Sequence, residues 1–276
     1  MSMVASSLRE VRASYAFVER NFNLSKRYLG WELVFMTYSV AQALSILYIG
    51  ASLGGGAVAG AGRDIILYLA LGALVWSYLS TVFEAISETI TWERWEGTIE
   101  YTLMAPVSRT THLLGSSLFS VTYSLLRTTL ILVVLGLFFH LDLGHANLLS
   151  SLVIVALSSL SFLGIGIMAA ALPLLFTERG TQMTFVMSAG LLLVSGVYYP
   201  ITVLPRWMQL LSTISPANYA LDAIRRAVMY RAGLGALWPD IWPLVLIGAL
   251  TIPLGLLIFR RAERYAKRTG RLKRSG

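Results

Sequence analysis

Five stretches of this chain (33–53, 65–83, 148–176, 182–199 and 241–259) carry no charged side chain, and a sixth, 113–139, carries only Arg127. A helix crosses the hydrocarbon core of a bilayer with about 20 apolar residues at 1.5 Å each. In lipid every backbone polar group needs a partner, so only helices and closed barrels can cross, and these runs lack the alternation of barrel strands. The expected fold is therefore an all-α integral membrane protein with six transmembrane helices. The charged fraction of 13% agrees, since a soluble globular surface needs about 25%. The chain has no cysteine, which excludes disulfides and thiolate metal sites. His112, His140 and His145 fall at span ends without metal-ligand spacing, so no metal site is expected.

An even number of spans puts both ends of the chain on one side, and the basic residues choose it. Sixteen of the 22 Lys and Arg fall in 1–32, 84–112, 177–181 and 260–276, against five in the opposite loops. Positive charge collects on the cytoplasmic face, so both ends are predicted there, although Arg206, Arg225, Arg226 and Arg231 run against the bias. Charges scattered through 1–32 interrupt any apolar core of a cleaved signal. Val4, Leu8, Val11, Tyr15, Val18 and Phe22 recur at helical spacing, with Arg9, Arg12, Glu19 and Arg20 off that stripe. Residues 3–30 are thus expected to form an amphipathic helix in the cytosolic interface or one packed on a partner. The basic run 260–276 suits anionic lipid; with no folded domain or aromatic platform around it, nucleic acid is not an expected ligand. The Gly-rich segment 54–62 reads as a loop tip.

Residues 201–240 are too polar to span. Leu204-Pro205 and Ser215-Pro216 look like helix starts, with proline at the first helical position and Ser215 as N-cap. Ala217, Ala220, Leu221, Ile224 and Val228 then form an apolar face, with Asn218, Asp222 and Arg225 opposite, and Gly233 can end the helix. Two short re-entrant helices in the outer leaflet, anchored by Trp207, Trp238 and Trp242, fit this pattern.

Within the spans, Tyr38, Gln42 and Ser45 share a helix face, and Tyr198 and Tyr199 close the fifth span. These are candidate pathway residues, or polar glue between helices. Ser158, Ser159, Ser161, Gly164 and Gly166 read as close helix packing. Arg127 is an intramembrane charge and so a candidate functional residue; snorkelling to the cytoplasmic surface, pairing with Glu84 or Glu88, and substrate contact are the alternatives. The acids concentrate in 84–112, where Glu84, Glu88, Glu93, Glu96 and Glu100 lie on or beyond a helix that continues the second span. By itself such a segment is either a docking surface or a solvated face.

Glu93-Arg94-Trp95-Glu96-Gly97-Thr98-Ile99-Glu100, followed by Met104-Ala105-Pro106-Val107-Ser108-Arg109, resembles the cytoplasmic loop of permeases in the type 2 family of bacterial ATP-binding cassette exporters. Ser195 to Pro200, Leu204-Pro205, Ser215 to Tyr219 and Asp222 to Arg225 resemble that family's fifth-span exit and following helices. Trp95 stands where the family often has its second acid. The resemblance implies the permease subunit of an exporter in a bacterial or archaeal plasma membrane. It would form the path by which a drug, lipid or glycoconjugate leaves the cytoplasm, with a second copy or paralogue completing the pore. A separate ATPase subunit would hold ATP and Mg; this chain has no Gly-Lys pair and no phosphate-cradling loop, so it is expected to bind no cofactor and to have no catalytic residue. The resemblance assigns coupling to that ATPase to Glu93, Arg94, Glu96, Gly97, Thr98, Glu100, Pro106, Ser108 and Arg109. Two other classes compete: an intramembrane enzyme acting on lipid or peptide, for which no nucleophile and base stand together, and an ion-coupled carrier, for which no midplane acidic site is visible.

Overall fold

The computed structural model describes residues 3–54, 61–141, 143–144, 146–176 and 179–270. His145, most of the Gly-rich loop and residues 271–276 of the basic tail lie outside them. Among the described residues every regular element is helical. In chain order they are α1 (Met3–Arg27), α2 (Leu29–Gly54), α3 (Ala61–Trp95), α4 (Ile99–Met104), α5 (Arg109–Phe139), α6 (Leu148–Ala169), α7 (Ala171–Leu175), α8 (Gly180–Val194), α9 (Arg206–Ser212), α10 (Pro216–Met229) and α11 (Trp238–Arg268), with a single 3-10 turn at Ile201–Val203.

Five helical segments are long and apolar enough to cross a membrane: Leu29–Ser52, Asp64–Trp95, Arg109–Phe139, Leu148–Leu175 and Trp238–Arg268. The remaining expected stretch, 182–199, is divided. Its helix α8 has 15 residues, about 22 Å of rise against a hydrocarbon core of about 30 Å, and the chain then turns at Gly196, whose φ is +64°.

The α6–α11 contact is built from small residues. A Cβ on Gly164 would stand 2.7 Å from the Ile252 nitrogen, and one on Gly255 would stand 2.7 Å from the Gly164 carbonyl oxygen. Ser161 Oγ donates across this seam to the Leu244 carbonyl at 2.7 Å, and Tyr78 and Ser159 share a hydroxyl hydrogen bond of 2.5 Å. Without a hydrophobic drive between helices in lipid, such close approach and polar glue hold a bundle together. The serines and glycines of α6 are packing residues, as their pattern suggested.

Contacts fix which helix ends lie together. Tyr28, the residue between α1 and α2, stacks on Trp92 near the end of α3. The start of α5 meets the end of α11 through Arg109 and Glu263, 2.9 Å apart. The start of α8 lies against α7, where a Cβ on Gly180 would overlap Pro173. At the opposite end, Asn147 before α6 donates two hydrogen bonds, from its backbone N–H to the Ala227 carbonyl near the end of α10 and from its side-chain amide to the Ala232 carbonyl in the turn after it.

Four local expectations change at that opposite end. Pro205 precedes α9 instead of opening it, and Ser215, which does hold the N-cap position of α10, makes no side-chain cap: its hydroxyl is held by Ser195 Oγ at 2.9 Å. Arg225, expected on the polar face of α10, is only 6% exposed. Its guanidinium donates to the Gly196 and Val197 carbonyls at 3.2 and 2.6 Å and lies over the Tyr68 ring at 3.5 Å. The turn at Gly196 leaves carbonyls without helical partners, and a buried arginine with five donors satisfies them. The helix ends at Met229, and Arg231 rather than Gly233 takes the left-handed conformation.

Candidate functional site

The acid-rich segment between α3 and α5 forms a compact knot. Helix α3 ends in a Schellman motif: Thr98 N–H donates to the Glu93 carbonyl at 2.8 Å and Gly97 N–H to the Arg94 carbonyl at 3.1 Å. Gly97 has φ +73°, the left-handed conformation this motif requires and only glycine adopts freely. The reversal aims α4 back along the bundle. Its Ile99 and Leu103 are buried among Ile86, Ile90, Leu113 and Ala262. Ser108 then caps α5, its hydroxyl accepting from Thr111 N–H at 3.1 Å.

Three charged side chains tie this knot to the rest of the protein. Glu93, fully buried, accepts from Arg20 of α1 at 2.8 Å and contacts His112 Nε2 of α5 at 3.1 Å. Arg94, also buried, donates to the Pro173 and Leu174 carbonyls of α7 at 2.7 and 2.9 Å. Arg109 grips Glu263 of α11 and donates to the Thr102 and Leu103 carbonyls that end α4. Glu263 is shared with Lys267 at 2.7 Å. Of the nine residues assigned to coupling, Glu93, Arg94 and Arg109 therefore face inward, and Gly97 and Thr98 build the turn. Glu100, Pro106 and Ser108 face outward, and Glu96 is half-buried. The outer face is completed by Trp95, Tyr101 and Met104, which are 62%, 77% and 73% exposed.

Arg20, His112 and Glu263 are partners that the residue pattern alone did not single out. Arg20 counted as one more cation of an amphipathic helix, and His112 as interfacial. Glu263 was the one carboxylate within a cationic run, which in retrospect is the only local signal among the three. Helix α1 reaches Glu93 because it lies close along α5: a Cβ on Gly115 would stand 2.6 Å from the Ser14 carbonyl oxygen and 2.8 Å from Phe17 Cβ. Its apolar Tyr15 and Phe22 point away from the bundle.

The candidate pathway residues fall in two places. Tyr38, Gln42 and Ser45 are exposed together on α2. Tyr198 lines an outer pocket with Asp64 and Tyr68, while Tyr199 turns its hydroxyl back to the Leu193 carbonyl at 2.6 Å. Arg127 reaches α2, donating to Ser39 Oγ at 2.5 Å and to the Phe35 carbonyl at 3.3 Å. Glu84 and Glu88 lie within electrostatic reach of it, and Glu32 within reach of Glu88, yet none of the three forms an ion pair with Arg127 among the described residues.

The model of the ABC-2 type transporter family matches residues 15–229, a range that holds the whole knot and both clusters of pathway candidates. The chain belongs to the ABC-2 type transporter family. It is similar to the "Probable multidrug ABC transporter permease YbhR" of Escherichia coli strain K12 and of Escherichia coli O157:H7, at 25% identity over 170 residues in each case. The match takes in 61% of this chain and 45% of each relative, so the chain aligns with less than half the length of these proteins. In this ABC-2 permease the matched region begins within α1, ahead of Arg20, and includes Glu93 and His112.

The turn at Gly97 yields a direct test. Gly97→Ala is expected to destabilise the permease by about 1 kcal/mol, the cost of placing a Cβ in the left-handed region. Gly97→Asn, which tolerates that conformation better, is expected to fall between. The check is thermal unfolding of the purified permease in detergent, followed by tryptophan fluorescence; equal stability for alanine and glycine would refute the assigned turn.

Proposed function

We propose that this chain is the membrane half of an ATP-driven exporter, with α4 and its flanking turns as the seat for a separate ATPase subunit that carries ATP and Mg. The observation behind this reading is the shape of the knot. It presents an exposed aromatic and acidic face, Trp95, Glu100, Tyr101 and Met104, on a base anchored at once to α1, α5, α7 and α11. A solvated face needs neither exposed aromatics nor such anchoring. A push on α4 would reach α1 through Glu93 and Arg20, and the base of α8 through Arg94 and α7. ATP binding biases the permease only insofar as the docked helix sits better in one state than in the other.

In this reading α8 and the turn after it make the sixth crossing, two copies or a copy and a paralogue enclose the pathway, and both ends of the chain lie in the cytoplasm of a bacterial or archaeal cell. Where α2, α3 and α5 meet, Glu32, Glu84 and Glu88 interact with one another and with the single guanidinium of Arg127. That balance, together with the multidrug label of the relatives, favours an amphipathic drug with a positive charge over a lipid or glycoconjugate.

The test is reconstitution of the permease with its ATPase in liposomes. Tyr101→Glu with Met104→Glu is expected to leave the permease folded and inserted, since both side chains are exposed, and to abolish substrate-stimulated ATP hydrolysis by preventing assembly. Full stimulated hydrolysis by the double variant would disprove the docking assignment.

A further inference from the structure

Helices α3, α5, α6 and α10 enclose a cavity of about 220 Å³ that the knot and the pathway candidates leave unused. Its walls include Leu74 and Val75 of α3, Leu125 and Thr129 of α5, and Leu148 and Val155 of α6. Two of these, Leu125 and Leu148, are also 39% and 75% exposed. The cavity therefore opens between α5 and α6 onto the surface that bounds the hydrocarbon. It contains no charged side chain. It runs along α6 from Leu148, next to the loop, to Ser158, a rise of about 15 Å at 1.5 Å per residue. That is half of a hydrocarbon core of about 30 Å, the depth of one leaflet.

We infer that this cavity is a binding site for one acyl chain of a phospholipid in the outer leaflet, seated between α5 and α6 against α3. The solvent at its mouth is hydrocarbon, so the chain enters without leaving an apolar medium. Inside, it supplies the dispersion contacts that the lining atoms lack when nothing stands opposite them. The hydroxyls of Ser158 and Thr129 do not call for a polar occupant: they donate to the Ile154 and Leu125 carbonyls of their own helices. The length matches an acyl chain standing along the membrane normal. The outer-leaflet placement rests on the topology proposed above, but the site itself does not depend on ATPase coupling.

The experiment uses the full chain in vesicles of phosphatidylethanolamine and phosphatidylglycerol doped with phosphatidylcholine that bears a diazirine midway along one acyl chain. After photolysis, labelled peptides are mapped by mass spectrometry. Label is expected to concentrate on residues 125–132 and 148–158, above the level on the exposed Leu246, Leu250 and Leu254 face of α11, which samples bulk lipid. Val155→Phe fills the cavity from α6 and Thr129→Phe from α5; each is expected to reduce labelling there to the α11 level. Uniform labelling of the wild-type helices would overturn the site even if neither variant folds. Enrichment that survives both fillings in folded protein would also overturn it. So would label on the 148–158 segment that disappears in favour of cross-links to a second protein chain.

Discussion

Glu93→Ala is expected to lower the stability of the permease by about 3 kcal/mol, the low end for removing one partner of a buried ion pair. Glu93 has no exposed surface, but its partner Arg20 is 29% exposed and can turn toward water once unpaired, which limits the penalty. His112, 2% exposed, cannot turn out and loses the acceptor of its Nε2. Glu93→Gln keeps the volume and an oxygen acceptor, so it is expected to recover roughly half of the loss. In the exporter proposed above, Glu93→Ala should also slow substrate-stimulated ATP hydrolysis, because α1 is no longer tied to the end of α3. The measurements are unfolding in detergent and, separately, stimulated hydrolysis at a temperature where the variant remains folded. Wild-type stability in Glu93→Ala would show that the three-way contact among α1, α3 and α5 does not bear on the fold.

The second large effect lies at the α6–α11 seam. Gly164→Val is expected to prevent correct folding, since even one added carbon at Gly164 overlaps the backbone of Thr251 and Ile252, and overpacking of a close interface costs about 1–3 kcal/mol or more. Gly136 of α5 provides the matched contrast, with nothing within 4 Å of an added Cβ. Gly136→Ala is expected to be neutral or to stabilise by up to about 1 kcal/mol through helix propensity. Membrane-inserted yield and unfolding temperature of the two variants check the opposite signs. A well-folded Gly164→Val protein would mean that α6 and α11 stand farther apart than described.

Both predictions concern features that the residue pattern showed unequally. The serine and glycine run of α6 announced close packing, because small residues in an apolar helix have few other uses. That α11 is the partner, and that Gly164 and Gly255 meet, depends on how two distant segments align. The loop residues from Glu93 to Arg109 stood out by acidity and by resemblance to known permeases. Their division into buried anchors and an exposed face was not legible, because an isolated helical segment gives Glu93 and Glu96 the same polarity. Arg225 shows the same limit: polar by type, it went to the buried side of α10 because the turn at Gly196 left carbonyls needing a donor.

The sequence by itself determined that the chain lives in a membrane, that it is helical, which segments are apolar, and which family it belongs to. Those properties follow from local composition and from short motifs, and neither requires knowing what lies across the bundle. Only the tertiary structure decided that α1 is bound to the base of α3, that α8 falls short of a full crossing, and that Glu93, Arg94 and Arg109 turn inward while Tyr101 and Met104 turn out. The reason is physical. A charged side chain goes inside only where a partner from another element meets it, and the partners here, Arg20, the α7 carbonyls and Glu263, come from residues far away along the chain.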